Sequence, residues 1–191
     1  MLEFTEQGHV YTWNGKPVPS VTQILDVLND FSRVPWDVLE RAKDRGTRVH
    51  RAGELLLREE LDWSSLDDEV RPYIVGLQKF LDDTKFVPLT TGTKVYHESL
   101  GYAGAIDCTG FWRNGHCIVD WKTSVATPRT VGPQLSAYLE ALNTTRKTKI
   151  TRRYCIRLQA DGTYKVDPQK TLSDFTIFKS ALNLWRYSNA D

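Results

Sequence analysis

The chain has 191 residues, a net charge of +1, 40% hydrophobic and 26% charged residues, the balance of one ordinary globular domain with a real core. That excludes a disordered, fibrous or collagen-like chain, and a polycation: any nucleic-acid contact must come from a local field, not from overall charge. No apolar run approaches the roughly 18 residues a membrane span needs, and MLEFTEQGHVYTW carries neither a secretory signal pattern nor the Arg-rich character of a transit peptide. A soluble cytoplasmic protein is expected, with no membrane partner.

The first element is an alternating run, His9 to Trp13, followed by Asn14-Gly15, a strong hairpin signal. Ser20 then stands where it can cap a short helix, VTQILDVL. From Pro35 to about Glu60 the pattern is helical, with Gly46 as a possible break, and 67–83 forms a second amphipathic stretch. Short β-rich runs follow over 94–100, 101–112 and 116–123, with Asn114-Gly115 marking another tight turn. QLSAYLEAL, 134–142, is a short helix. Strands at 152–159 and 164–166 flank Asp161-Gly162, and an amphipathic helix spans 174–187. Helices, a strand meander, a helix, strands and a final helix describe a mixed α/β domain. Cys108, Cys117 and Cys155 are odd in number and form no CxxC pair, so buried, reduced thiols are expected.

The chemistry concentrates in GYAGAIDCTGFWRNGHCIVDWKTS. If Asn114 and Gly115 are the two loop residues, Arg113 faces His116, Asp107 faces Lys122 and Thr109 faces Asp120. Asp107, Asp120 and Lys122 then share one face, with diagonal neighbours roughly 7–8 Å apart. Two carboxylates so placed repel each other unless a cation neutralises them, and hard oxygen donors suit magnesium or manganese. A lysine beside them can stabilise charge on a phosphate. A plain Asp107–Lys122 cross-strand ion pair is the alternative, but acids inside an apolar run are costly to bury unpartnered.

Gly-Ala-Ile-Asp107, Asp120-Trp121-Lys122-Thr123-Ser124 and Gln134-x-x-x-Tyr138, preceded by Arg45-Gly46-Thr47-Arg48-Val49-His50, run in an order that resembles the PD-(D/E)XK nuclease superfamily. The similarity is to its RecB-type branch, which includes lambda-type phage exonucleases and mitochondrial genome maintenance exonucleases. It covers residues from about 9 to 142. Ile106 replaces the proline of the family's name.

The resemblance implies a restriction-endonuclease-like α/β core, a central mixed β-sheet flanked by helices, within one domain. In it, 1–85 is an N-terminal hairpin and helical elaboration carrying His50, and 86–191 the catalytic sheet core. It implies Mg2+, replaceable by Mn2+, held by Asp107, Asp120, His50 and the carbonyl of Trp121. No iron-sulfur cluster is expected. Lys122 would be the catalytic lysine and Glu98 a further acid completing the site. Gln134, Tyr138, Thr123 and Ser124 would face the substrate. Beside the resemblance, the helical basic cluster Arg41, Lys43, Arg45, Arg48 and Arg51 is one candidate phosphate contact. The basic run Arg146, Lys147, Lys149, Arg152 and Arg153 is a second candidate phosphate contact, and Phe31, Trp36 and Trp63 are candidates for base stacking.

The implied activity is a DNA exonuclease in phage-type recombination, replication or repair, with a single-strand annealing protein or recombinase as possible partner. The alternatives are an endonuclease on the same fold, a catalytically silent DNA-binding module, and a metal-dependent phosphatase or other hydrolase.

Overall fold

The computed structural model describes residues 1–190. Three short strands, β1 (Leu2–Thr5), β2 (Val10–Trp13) and β3 (Lys16–Val18), form an antiparallel sheet. Its β2–β3 turn is Asn14-Gly15, with φ of 51° and 76°, the left-handed pair a two-residue hairpin loop requires. β1 precedes the alternating run and completes this sheet; LEFT is too short to declare itself in the sequence.

Ser20 caps α1 (Val21–Leu25): its Oγ accepts from the Gln23 amide at 3.1 Å, and the Gln23 side chain accepts from the Ser20 amide at 2.8 Å. This reciprocal pair satisfies two otherwise orphaned donors. α2 (Trp36–Leu57) runs through Gly46 without a break. The roughly 1 kcal/mol that a mid-helix glycine costs is offset by the buried anchors Val49 and Ala52. α3 (Arg71–Thr84) follows, burying Tyr73, Ile74, Leu77 and Phe80 on one face.

The main sheet contains β4 (Val87–His97), β5 (Tyr102–Trp112), β6 (Gly115–Lys122), β7 (Arg152–Leu158) and β8 (Tyr164–Pro168), in that order across the sheet. α4 (Val131–Arg146) carries the chain from β6 to β7, which are parallel; every other neighbouring pair is antiparallel. α5 (Asp174–Ser188) closes the chain. The result is the expected mixed sheet flanked by helices.

Two apolar cores lie on opposite faces of this sheet. α1, α4 and α5 bury Ile24, Leu135 and Phe178 against Tyr102, Ile106 and Ile118. On the other face α2 and α3 bury Val49, Leu77 and Phe80 against Cys108, Val119 and Trp121. Beside α2, the N-terminal sheet covers β4 and β5 through Tyr11, Tyr96 and Ala103. The N-terminal 85 residues are therefore divided between both faces rather than set apart from the sheet core. Arg153 and Asp174, both buried, pair at 3.0 Å and tie β7 to α5.

The three cysteines are buried and free. Burial pushes the Cys117 thiol to about 11 and the Cys155 thiol to about 12, so both stay protonated and inert near neutrality. No helix among the described residues is long and apolar enough to cross a membrane.

Candidate active site

The β5–β6 hairpin differs from the sequence expectation by one residue on each strand. Trp112 pairs with Gly115 and Phe111 with His116, so the loop is Arg113-Asn114, with φ of 50° and 59°. Gly115 serves a different purpose. A Cβ there would lie 2.7 Å from the Arg152 guanidinium, which donates to the carbonyls of Trp112 and Arg113 at 3.2 and 2.6 Å. Asp107 is therefore not across from Lys122.

The β5–β6 pairing stops at Cys108–Val119. Ile106 belongs to the α4–α5 core and Cys108, two residues on, to the α2–α3 core. Alternate residues of a regular strand share a face, so β5 turns over at Asp107. On β4, Gly92 lies between the pairs Thr91–Cys108 and Thr93–Ile106 and has φ of +59°, a conformation other residues adopt at a cost. The observed register, continued one step, would set Asp107 opposite Asp120, and the two acids meet where the ladder ends and the strands part.

Two charged pairs occupy the opening. From α2, His50 Nδ1 lies 3.1 Å from Asp107 Oδ1, and Asp107 Oδ2 accepts from the Trp121 amide at 3.0 Å. The His50 ring stacks on Trp121 with centroids 5.9 Å apart. On β6, the Lys122 ammonium lies 3.0 Å from Asp120 Oδ1 and 2.8 Å from Oδ2. The second contact is outside hydrogen-bonding geometry, so Oδ2 is buried without a hydrogen bond.

Environment pushes the two carboxyls apart. Burial raises Asp120 above the usual carboxylate range, reinforced by the Asp107 charge and only partly opposed by Lys122. Burial acts on Asp107 too, but there His50 and Lys122, with the Trp121 amide, prevail and hold it below that range. Burial disfavours the charged forms of His50 and Lys122, yet the neighbouring carboxylates outweigh it and raise both.

As placed, no group of three or more His, Cys, Asp or Glu side chains among the described residues forms a ready metal cage. The residues nonetheless fit a divalent cation. Asp120 presents an unsatisfied buried oxygen, a second carboxylate stands in the same opening, and His50, held against Asp107 through Nδ1, would offer Nε2 once a cation displaces its proton.

The opening is part of a cleft of ≈ 780 Å³ bounded by α2, the N-terminal sheet and the start of α4. Gln134 and Tyr138 are buried in its wall, with Gln134 Nε2 donating to the Tyr138 hydroxyl at 3.1 Å. Burial raises Tyr138 well above its ordinary value, so its own O–H remains a donor. Lys43, Thr47, Glu54 and Lys94 also line the cleft.

Several expected residues lie elsewhere. Glu98 is exposed in the turn after β4, beyond the His97–Tyr102 pair, and does not line the cleft; the glutamates that do are Glu6 and Glu54, the latter one helical turn beyond His50. Arg45 and Arg48 face away from the cleft. Arg48 is bound by Asp44, Asp67 and Glu69 at 2.8, 2.7 and 2.6 Å, and Arg45 lies 3.6 Å from Glu69. At 100° per residue, the cleft face of α2 carries 43, 47, 50 and 54, which excludes 45 and 48. Thr123 and Ser124 follow β6 outside the cleft lining, with Ser124 Oγ donating to the Ala126 carbonyl. Arg152 and Arg153 are committed to the β5–β6 turn and to Asp174. A smaller concavity of ≈ 470 Å³ beside Arg113, Arg152 and Lys170 is lined by none of the site acids. Trp36 is 75% exposed at the start of α2.

No family model matches the chain. Over 152 residues it is 28% identical to mitochondrial genome maintenance exonuclease 1 of Homo sapiens, covering 66% of this chain and 44% of that protein. The Mus musculus protein of the same name is 29% identical over 126 residues, covering 56% and 37%. That of Xenopus tropicalis is 31% identical over 77 residues, covering 37% and 22%. The chain thus spans less than half the length of the curated relatives it matches. These relatives are of the exonuclease branch to which the ordered motifs pointed. A solved structure of LHK-Exo in complex with dAMP aligns at a TM-score of 0.41 and 11% identity, over 90% of this chain and 87% of that one.

Proposed function

We propose that the chain is a single nuclease domain that hydrolyses DNA phosphodiester bonds with a divalent cation, magnesium first and manganese as substitute, acting as an exonuclease at DNA ends. The observation that carries this is the meeting of His50–Asp107 and Asp120–Lys122 where β5 and β6 part, with Gln134 and Tyr138 beside them. Asp107, Asp120, His50 and the Trp121 carbonyl would hold the cation, which supplies a Lewis acid and a readily deprotonated water.

The remaining work falls to the chain's own side chains. Lys122 keeps its proton and places a positive charge where negative charge grows on the scissile phosphate. Tyr138 takes a hydrogen bond from Gln134 and directs its hydroxyl proton into the cleft, where a non-bridging phosphate oxygen can accept it. Asp107 fixes the His50 ring through Nδ1. The relatives' name, a genome maintenance exonuclease, supports DNA as substrate; recombination, replication or repair is the setting that the motif order suggests, in which a single-strand annealing protein or recombinase would be the partner.

The test is cleavage of end-labelled linear and closed circular DNA with magnesium or manganese, by wild type and Lys122→Ala. Linear DNA lost from its ends, with circles intact and the variant slower by about 10²–10³-fold, is the expected result. Cut circles would make the domain an endonuclease. No cleavage of any substrate would leave a binding module.

A further inference from the structure

The cleft contains a cation that the hydrolytic site does not use. Of the lysines and arginines lining it, Lys43 is paired with Glu40 at 3.1 Å, Arg51 with Glu54 at 3.6 Å and Lys122 with Asp120. Lys94 alone has no carboxylate within ion-pair distance among the described residues. Glu6 also lines the cleft, yet forms no ion pair with it.

Lys94 is nevertheless held in place. It pairs with Ala105 in the β4–β5 ladder, two residues before Asp107. Its neighbours Val95 and Ile106 face the α4–α5 core, so Lys94 is on the opposite face, the one covered by the N-terminal sheet. There its ammonium lies 4.4 Å from the centre of the Phe4 ring, an aromatic face that attracts a cation without neutralising it. The Tyr11 and His9 rings also pack on Phe4, with centroids 4.7 and 5.0 Å from its own. A positioned, exposed and uncompensated cation in the same cleft as two acids that would repel DNA is a place for an anion.

We infer that Lys94, backed by Phe4 of the N-terminal sheet, is a phosphate subsite that holds a backbone phosphate of the DNA strand next to the one being cleaved. The strand then lies between α2 and the N-terminal sheet, and that sheet is part of the substrate channel. The identity of the strand rests on the nuclease reading above; the anion site does not.

The test separates the two. Binding of a fluorescein-labelled oligothymidylate is followed by anisotropy in EDTA across a salt series, for wild type, Lys94→Gln and Lys94→Arg. Lys94→Gln is expected to weaken binding about 5–10-fold at low salt and to reduce the log–log salt slope by about 0.7, the loss of one phosphate contact to a single strand. Lys94→Arg should remain within about twofold of wild type, since a guanidinium also binds phosphate. An unchanged slope for Lys94→Gln, or an arginine variant as weak as the glutamine one, overturns the inference. In turnover with magnesium, Lys94→Gln should raise KM for the oligonucleotide more than it lowers kcat; a loss confined to kcat would put Lys94 at the reacting phosphate and also overturn it. If wild type cleaves nothing, the nuclease reading fails while the salt slope still decides the subsite.

Discussion

Gly104→Ala tests how tightly the cleft wall is built. A Cβ on Gly104 would stand 2.3 Å from Tyr138 Cε1 and 3.0 Å from Cδ1, against the ~3.5–4.0 Å of ordinary carbon contact. The ring must therefore move by more than about 1 Å, and although it borders the cleft, at 5% exposure it can do so only by disturbing the packing that holds it. Overpacking of this kind costs ~1–3 kcal/mol. Displacing the hydroxyl from Gln134 adds about 1 kcal/mol. A total of about 2–4 kcal/mol corresponds, for a domain of this size, to a Tm lower by roughly 5–15 °C. Urea denaturation followed by tryptophan fluorescence should show the midpoint falling with the slope unchanged. In a Tyr138→Leu background the same substitution should cost at least about 1 kcal/mol less, because the clashing atoms are gone. A Gly104→Ala protein within ~0.5 kcal/mol of wild type would refute the packing reasoning.

Three further outcomes are expected. Magnesium or manganese at about 100 times its Kd should stabilise wild type by ~2.7 kcal/mol, visible as a Tm rise of roughly 5–10 °C that Asp120→Asn abolishes; an equal rise in the variant would place the cation elsewhere. Asp174→Asn leaves Arg153 charged and buried without its partner and should cost ~3–5 kcal/mol, read as a urea midpoint shift without a change in the pH-7 cleavage requirement for metal. His97 is buried, accepts from the Leu100 amide at 3.3 Å, and is held below its ordinary 6.5 by that burial. The unfolded chain therefore takes up a proton before the folded one does, and stability falls as pH drops below 6.5. His97→Gln should flatten that decline in thermal melts between neutral and mildly acidic pH; an unaltered slope would assign the decline to other groups.

The elements announced by local chemistry were legible in the sequence. Asn14-Gly15 marks its turn because both residues supply the left-handed backbone that the loop needs, and Ser20 with Gln23 forms the cap its hydroxyl and amide suggest. Asn114-Gly115 reads identically but is displaced by one residue: Arg113 accepts the left-handed conformation, and Gly115 is required by Arg152, 37 positions away in sequence. Such a requirement has no local trace. Gly46 looks like a break because propensity is local, whereas Val49 and Ala52 anchor the helix through tertiary burial.

The site shows the same division. The residues Asp107, Asp120, Lys122, His50, Gln134 and Tyr138 were identifiable from ordered motifs, and the structure brings them to one cleft. The geometry inferred for them was not right, since parity assumes a regular strand and β5 turns over at Asp107. Glu54 was within reach as the i+4 neighbour of His50. Lys94 carried no signal, because its significance is the absence of a partner, which only the folded chain reveals. Arg45 and Arg48 belong to a basic run whose acidic counterparts, Asp67 and Glu69, lie in the segment leading into α3, too distant in sequence for the run to show them.

The parting of β5 and β6 also sets when the protein can work. His50 arrives with the α2–α3 layer, whereas Gln134 and Tyr138 arrive with α4 on the opposite face. Neither layer alone assembles the constellation, so during refolding activity should appear no earlier than the slower of the two docking events. The cleft is thus a gauge of registry between the two halves of the molecule, and under the proposed nuclease reading a chain folded on one face only should show no cleavage.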